Sequence, residues 1–238
     1  LADGASETEV VEIIPELPEA ARFFRADNDD VLSDPKVRLI IDDGRHHIKA
    51  STRRYDLIVG DLFFPENAGT GNLYSREHFA HCRAALSDSG MMTQWVPLQQ
   101  VSMDVLKSIM KTFATEFPHV SLWWGTISGG RPIVGLVGTV AEQQIDPREL
   151  ARRVKLWAPA LSKIGWTSPS CVMNHLIMSD AKFREFSSAA RENTDDRPYI
   201  EFAAPRLEAV GERIATSNIA ALGGLPSACA TVPVPHKN

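Results

Sequence analysis

The first 125 residues alternate short apolar runs with segments of helical periodicity, and this alternation restricts the possible folds more than any other feature. Strands that alternate with helices form a parallel sheet that is covered by helices on both faces. The sequence therefore predicts an α/β, doubly wound fold. The predicted strands of this part are 8–13, 37–41, 56–60 and 91–96.

Two further β-rich runs, 119–124 and 132–139, follow the last of these units. The Gly-Gly-Arg-Pro sequence at 129–132 between them is typical of a turn, so the pair is predicted to form an antiparallel hairpin. A hairpin appended to parallel strands makes the sheet mixed at one edge. We therefore expect a Rossmann-like, mostly parallel sheet with a C-terminal antiparallel hairpin.

The domain organisation follows from the same pattern. Residues 1–145 are predicted to form the Rossmann-like core. Residues 146–205 carry helical periodicity, chiefly over 148–164 and 170–190, and are predicted to be a helical extension of the same domain. Residues 206–238 are predicted to form a helix and a poorly ordered tail, because the end of the chain is rich in Pro and Ala.

Composition argues against several classes of partner. The 25 Lys and Arg residues are scattered among 30 Asp and Glu residues, so no nucleic-acid partner is expected. No apolar run reaches the ~18 residues of a membrane helix. Three cysteines without a CxxC pair argue against a disulfide framework and favour a cytoplasmic location. His78, His81 and Cys82 lack the further partner of a metal motif, so no metal is expected.

Three acidic residues, Glu12, Asp43 and Asp61, stand at or just past the ends of predicted parallel strands. In open α/β sheets, ligands bind at that edge. A carboxylate offers two oxygens to the vicinal hydroxyls of a ribose, which suits Glu12. Asp43 suits the exocyclic amine of a purine, and Gly44 lets the backbone approach the ring, although Asp-Gly also favours a simple turn.

Several short runs carry a family resemblance when they are taken together. They are V-E-I at 11–13, D-G-R at 43–45, Y-D-L-I-V-G-D at 55–61, D-x-F-x-P at 61–65, L-Y-S-R-E-H-F at 73–79, G-M-M-T-Q at 90–94 and N-T-D-D-R-P-Y-I-E-F at 193–202. In this order they resemble the spermidine synthase (polyamine aminopropyltransferase) family, and within it the bacterial branch that is often fused to membrane domains. The resemblance implies a class I methyltransferase-type variant of the Rossmann-like fold.

The resemblance also implies a reaction. Decarboxylated S-adenosylmethionine would be the co-substrate that donates an aminopropyl group, and a polyamine such as putrescine would accept it. Glu12 would bind ribose, Asp43 and Gly44 would bind adenine, and Asp61 would be the catalytic base. A base is needed because an alkylamine with a pKa of ~10 is mostly protonated at neutral pH.

Tyr74 and Gln94 fall on family positions near the acceptor pocket, although either is equally well explained as an ordinary packing residue. The resemblance further implies a homodimer. It also implies that the full-length protein carries a membrane segment outside this chain.

Departures from the family pattern keep a second hypothesis open. Phe64 replaces the second aspartate of a D-x-x-D motif, with Glu66 as the nearest carboxylate that could replace it, and Ile14 stands where the family has an acid. The Gly-rich loop and first strand that should precede Glu12 are missing, so we expect a natural N-terminal segment beyond this sequence. These departures favour a non-catalytic nucleoside-binding or regulatory domain. The carboxylates of Glu12, Asp43 and Asp61 favour the aminopropyltransferase instead. Asp61 also argues against a methyltransferase, which does not need a carboxylate at this position.

Overall fold

The computed structural model describes residues 4–125, 131–207 and 211–226. The chain divides into two compact units, Leu1–Arg53 and Arg54–Asn238. The division after Arg53 was not predicted from the sequence, and the predicted limits at 145 and 205 stay predictions. Part of the predicted 129–132 turn and the predicted disordered tail lie outside the described residues.

The first unit contains a two-stranded parallel sheet. Strands β1 and β2 pair from Thr8 opposite Val37 to Glu12 opposite Ile41. Each strand is a run of β-branched and aliphatic residues, and each is followed by a helical segment. The elements are β1 (Thr8–Glu12), α1 (Leu17–Ala21) with a 3₁₀ turn (Arg22–Phe24), a second 3₁₀ turn (Val31–Ser33), β2 (Val37–Ile41) and α2 (Gly44–Ala50).

The second unit is built on a five-stranded sheet in the order β3-β4-β6-β5-β7. Strand β3 pairs with β4 in parallel, and the other three pairs are antiparallel. The strands are β3 (Tyr55–Gly60), β4 (Leu86–Pro97), β5 (His119–Gly125), β6 (Ile133–Thr139) and β7 (Leu176–Ser179).

The helices described in this unit are α3 (Arg76–Ala85), α4 (Met103–Glu116), α5 (Pro147–Leu156), α6 (Ala158–Leu161), α7 (Pro169–Met173), α8 (Asp180–Ser187), α9 (Tyr199–Ala203) and α10 (Gly211–Ala221). Helices α3, α4 and α8 pack on the strands of the sheet. Helix α4 packs against α3, α8 and β6. Its Phe113 ring stacks on Phe117 at 4.5 Å and meets the edge of Phe79 of α3 at 5.0 Å, so these rings form the core between the helices and the sheet. No helix of the described residues is long and apolar enough to cross a membrane.

The predicted α/β class is confirmed, and so is the hairpin of β5 and β6. The sheet is mixed, as expected, but it holds more antiparallel pairs than the alternation of strands and helices suggested. This follows from the position of β6, which inserts between β4 and β5 and runs antiparallel to both.

Two local predictions were wrong. The strand predicted at 91–96 begins earlier, at Leu86, and residues 87–90 form an irregularity within β4, since Tyr55 pairs with Leu86 and Leu57 with Met91. The segment 170–190 was predicted to be helical throughout, but β7 interrupts it. Pairing with β5 decides the conformation of β7 over its local helical periodicity.

The cysteines are only partly as predicted. Cys82 is a free and buried thiol on α3. Cys171 is disulfide-bonded, contrary to the expectation that the odd number of cysteines argued against disulfides. This bond removes part of the basis for expecting a reducing compartment.

Candidate active site

The two predicted nucleoside ligands, Glu12 and Asp43, lie at one edge of the two-stranded sheet. Glu12 is the last residue of β1 and is paired with Ile41, the last residue of β2. The backbone N–H of Asp42 donates to the Glu12 carbonyl over 3.1 Å, which continues the pairing one residue beyond the strands. The structure therefore brings Glu12 and Asp43 to the carboxyl ends of neighbouring parallel strands.

Asp43 caps helix α2. Its Oδ1 accepts the backbone N–H groups of Arg45 at 2.7 Å and His46 at 3.2 Å. Its Oδ2 has no hydrogen bond to any described residue, so it is available to an amino group. A Cβ built on Gly44 would have no atom within 4 Å, so the backbone beside this oxygen is open to a planar ring.

Glu12 is half-buried and makes a local hydrogen bond. Its Oε1 accepts the backbone N–H of Ile14 at 2.8 Å, which fixes the direction of the carboxylate. Within the described ranges its Oε2 has no partner. Ile14 itself is 51% exposed, so the position that carries an acid in the family presents an apolar side chain to solvent here.

The other acid on β1, Glu9, differs from Glu12 because its carboxylate is surrounded by basic side chains. The Glu9 side chain is 7% exposed, forms ion pairs with Arg53 and, at 3.3 Å, with Arg38, and lies 3.3 Å from Nε2 of His47. Its charge is compensated within the unit. Glu12 has no cationic partner among the described residues, so of the two acids it is the one whose charge is left for a ligand.

In the second unit, Asp61 follows β3 directly and is held in place by β4. Its Oδ1 accepts the N–H of Leu62 at 2.7 Å, and Nε2 of Gln94 donates to its backbone carbonyl at 3.1 Å. Gln94 lies opposite Gly60 in the parallel register. A Cβ on Gly60 would collide with Oε1 of Gln94, so a glycine at this position is what lets the Gln94 side chain lie across the end of β3.

Tyr74 lies near the far end of the β3–α3 loop, residues 61–75. The side chain is fully buried, and its hydroxyl donates to the carbonyl of Phe63 at 3.0 Å. Burial raises the pKa of Tyr74 far above its ordinary value, and the nearby carboxylates of Glu66 and Asp61 raise it further. Tyr74 is therefore a neutral donor that links the two ends of the loop close to both carboxylates.

Glu66 supplies the second carboxylate of this loop. Its Oε2 is buried and has no hydrogen-bond partner among the described residues, and the same is true of Oε1 of Gln94. Each buried acceptor without a donor costs ~1–3 kcal/mol. An ammonium group, which carries several N–H donors, is the kind of ligand that satisfies such an acceptor.

The sequence left Glu66 as an open alternative to the missing second aspartate. Phe64, which occupies that family position, is 45% exposed, whereas an oxygen of Glu66 two residues later is buried. Asp61 and Glu66 are the two carboxylates within residues 61–75. The presence of both acids in one loop is the sequence signal that pointed to Glu66 as a second carboxylate. The burial that distinguishes Glu66 depends on how the loop folds.

A cleft of about 1060 Å³ opens elsewhere on the second unit. It is lined by residues of α3 and of the segment 191–206, and none of Asp61, Glu66, Tyr74 and Gln94 lines it. The carboxylates of Asp61 and Glu66 therefore do not lie in this cleft. Among the described residues, no group of three or more His, Cys, Asp and Glu side chains is arranged to hold a metal ion.

Comparison with known proteins connects these residues to one family. Residues 6–129, more than half of the chain, match the family model of the spermine/spermidine synthase domain. The chain is 32% identical over 145 residues to a polyamine aminopropyltransferase of Thermoplasma volcanium, covering 61% of this chain and 53% of the relative. It is 30% identical over 147 residues to polyamine aminopropyltransferase 2 of Hyperthermus butylicus, covering 60% and 47%. The chain thus spans about half the length of the curated relatives that it matches.

Solved structures agree on the fold. A probable spermidine synthase from Corynebacterium glutamicum superposes with a TM-score of 0.55 at 21% identity, covering 79% of this chain and 63% of that one. A spermidine synthase in complex with the transition-state analogue AdoDATO gives a TM-score of 0.54 at 20% identity, covering 61% and 52%. The mixed α/β architecture is therefore shared with both.

Proposed function

Because the chain belongs to the spermine/spermidine synthase domain family, we propose that it transfers an aminopropyl group from decarboxylated S-adenosylmethionine to a polyamine. The observation that carries the proposal is the excess of buried acceptors around Asp61. Glu66 Oε2 and Gln94 Oε1 have no donor among the described residues, beside a loop that holds two carboxylates. An amine with several N–H groups and a positive charge is the complementary ligand.

The chemistry assigns Asp61 its role. The lone pair of the acceptor nitrogen attacks the methylene carbon bonded to the sulfonium, a C–N bond forms, and the C–S bond breaks with its electrons going to sulfur. Sulfur leaves as a neutral thioether, and the nitrogen must lose a proton. In this proposal Asp61, whose Oδ1 accepts the Leu62 N–H at 2.7 Å, takes that proton or holds the neutral amine in line.

For the donor, we propose that the first unit holds the nucleoside. Glu12 Oε2 and Asp43 Oδ2, at the carboxyl ends of β1 and β2, accept no hydrogen bond from the described residues and are suited to ribose hydroxyls and to the adenine amine. Gly44 leaves the backbone open to the ring. Cofactor recognition would thus use carboxylates and backbone, without a metal.

The first test is calorimetry of the protein with decarboxylated S-adenosylmethionine, followed by release of methylthioadenosine in the presence of putrescine. Asp61→Asn keeps the size of the side chain but cannot take the proton, so we expect kcat to fall by ~10²–10⁴ with nucleoside affinity unchanged. Asp56→Asn, on β3 itself and bonded to Ser87, is the matched control. Failure to bind any nucleoside would overturn the proposal, and binding without transfer would indicate a non-catalytic nucleoside-binding domain.

The second test separates the two roles of Asp43. Asp43→Asn keeps an oxygen to cap α2 but puts an NH₂ group where Oδ2 stands, so it should lose the adenine contact without losing the helix cap. We expect nucleoside affinity to fall by about tenfold or more. Asp146→Asn changes the equivalent cap of α5, which accepts the Arg148 N–H at 2.8 Å, and should leave affinity unchanged.

A homodimer and a cytoplasmic location also remain proposals for this chain. The family resemblance supports the first, and the absence of a CxxC pair supports the second, with the disulfide of Cys171 as a point against it. Sedimentation analysis at several protein concentrations tests the dimer. A mass that stays at that of one chain would contradict it.

A further inference from the structure

The carboxylate of Glu201, far along the chain, is hydrogen-bonded to the backbone of the β3–α3 loop. Glu201 of α9 accepts two backbone N–H groups of this loop, that of Gly69 through Oε1 at 2.8 Å and that of Gly71 through Oε2 at 3.3 Å. Both oxygens of one carboxylate are therefore used on two amides that lie two residues apart. Hydrogen bonds to a charged acceptor are stronger than neutral ones.

Asn193 is also hydrogen-bonded to this loop. Its Nδ2 donates to the carbonyl of Gly71 at 2.9 Å, and its Oδ1 accepts the N–H of Ile200 at 3.0 Å. Its backbone N–H donates to Oγ1 of Thr112 on α4 at 2.8 Å. Asn193 is completely buried, so it ties the loop to α9 and to the core helix at one point.

The two contacts meet at Gly71. A Cβ on Gly71 would lie 2.9 Å from the backbone nitrogen of Glu201 and 2.9 Å from its Oε2, so the loop backbone packs directly on α9. Three residues later the same loop carries Tyr74, whose hydroxyl bonds Phe63 beside Asp61. A continuous set of contacts thus leads from α9 to the carboxylates of the candidate active site.

We propose that Glu201 and Asn193 are positioning residues that hold the β3–α3 loop in the conformation that binds the acceptor amine. The proposal rests on the proposed function, because it assigns these residues to the acceptor side of that reaction. It also gives a role to the N-T-D-D-R-P-Y-I-E-F run, whose turn residues alone would be explained by local geometry. Asn193, at the start of that run, and Glu201, near its end, both contact the loop.

Glu201→Gln is the most direct test. The amide keeps one acceptor oxygen but faces the second backbone N–H with its own NH₂ group, so at most one of the two bonds survives. We expect amide hydrogen exchange of residues 66–74 to become about tenfold faster, from the loss of one charge-assisted bond. We also expect the KM of putrescine to rise by about tenfold, while the affinity for decarboxylated S-adenosylmethionine is unchanged.

Glu77→Gln is the matched control. Glu77 of α3 accepts the N–H of Asp195 at 3.0 Å, so it holds the same late segment, but within the described ranges its carboxylate makes no hydrogen bond or ion pair with residues 61–75. The control should leave both exchange in the loop and the KM of putrescine unchanged. Glu201→Ala, which removes both bonds, should exceed Glu201→Gln in both measurements.

The outcomes separate this inference from the proposed function. Unchanged amide exchange of residues 66–74 in Glu201→Gln would show that Glu201 does not stabilise the loop, whether or not the wild-type protein transfers an aminopropyl group. Faster exchange with an unchanged KM of putrescine would overturn the positioning role. If the wild-type protein shows no transfer, calorimetric binding of putrescine replaces KM, and equal binding by wild type and Glu201→Gln would overturn it.

Discussion

The side-chain amide of Gln94 donates to the backbone carbonyl of Asp61 over 3.1 Å, while the other end of the same amide, Oε1, is buried without a partner in the described structure. One end of Gln94 therefore fixes the residue proposed as the base. The other end is a buried acceptor that lacks a donor among the described residues. This division makes Gln94 both a support of the fold and a candidate ligand of the amine.

Gly60→Ala should destabilise the protein through Gln94. The new Cβ would collide with Oε1 of Gln94, so the side chain must move and its bond to Asp61 is lost. We expect a loss of ~1–3 kcal/mol in the free energy of unfolding by urea. Gly44→Ala, where a Cβ meets no atom within 4 Å, should leave stability unchanged or slightly higher while weakening nucleoside binding.

Tyr74→Phe should loosen the loop without disturbing the ring packing. The substitution removes the hydroxyl that donates to Phe63 and leaves that carbonyl without its donor. We expect the free energy of unfolding to fall by ~1–2 kcal/mol and the KM of putrescine to rise. An unchanged free energy of unfolding would show that this hydrogen bond contributes nothing to the loop.

Glu66→Met should separate stability from function. The buried Oε2 of Glu66 has no donor among the described residues, so replacing the carboxylate by an apolar side chain of similar length removes a desolvation cost. We expect stability to rise by about 1 kcal/mol and putrescine binding to weaken by at least about tenfold. Glu142→Met, at an exposed position, should change neither quantity. Lower stability with normal amine binding would contradict the role of Glu66.

The thiol of Cys82 should be unreactive in the folded protein. Burial raises the pKa of Cys82 to about 12, so at pH 8 the thiol stays protonated and enclosed. Its pKa in the unfolded chain is ~8.5, so the folded state holds the proton that the unfolded state releases. The contribution to stability is complete below that value and is lost as the pH rises towards 12.

Peptide mapping after alkylation checks this prediction. Cys82 should be labelled at pH 8 only when a denaturant is present, and the free energy of unfolding should decline as the pH rises above ~8.5. Cys82→Ala should flatten that decline. Rapid labelling of Cys82 in the native protein would contradict the burial of this side chain.

Local sequence was sufficient to place the strand-end acids. Alternation of apolar runs with helical segments located β1, β2 and β3, and an acid at or just past the end of each run falls at the carboxyl end of a strand. The parallel register of β1 and β2 then brings Glu12 and Asp43 to one edge. The sequence also predicted the β5–β6 hairpin, since a run typical of a turn separates two β-rich runs.

Only the tertiary structure decided the remaining features, because each depends on residues far apart in the sequence. Strand β7 forms in a segment of helical periodicity because β5 offers it an edge. Glu66 becomes buried through the folding of its loop, and that loop is held by Glu201, 130 residues beyond Gly71. The sequence by itself thus determined the α/β class and the acids at the strand ends, whereas long-range contacts determined which carboxylates are paired and which have no partner among the described residues.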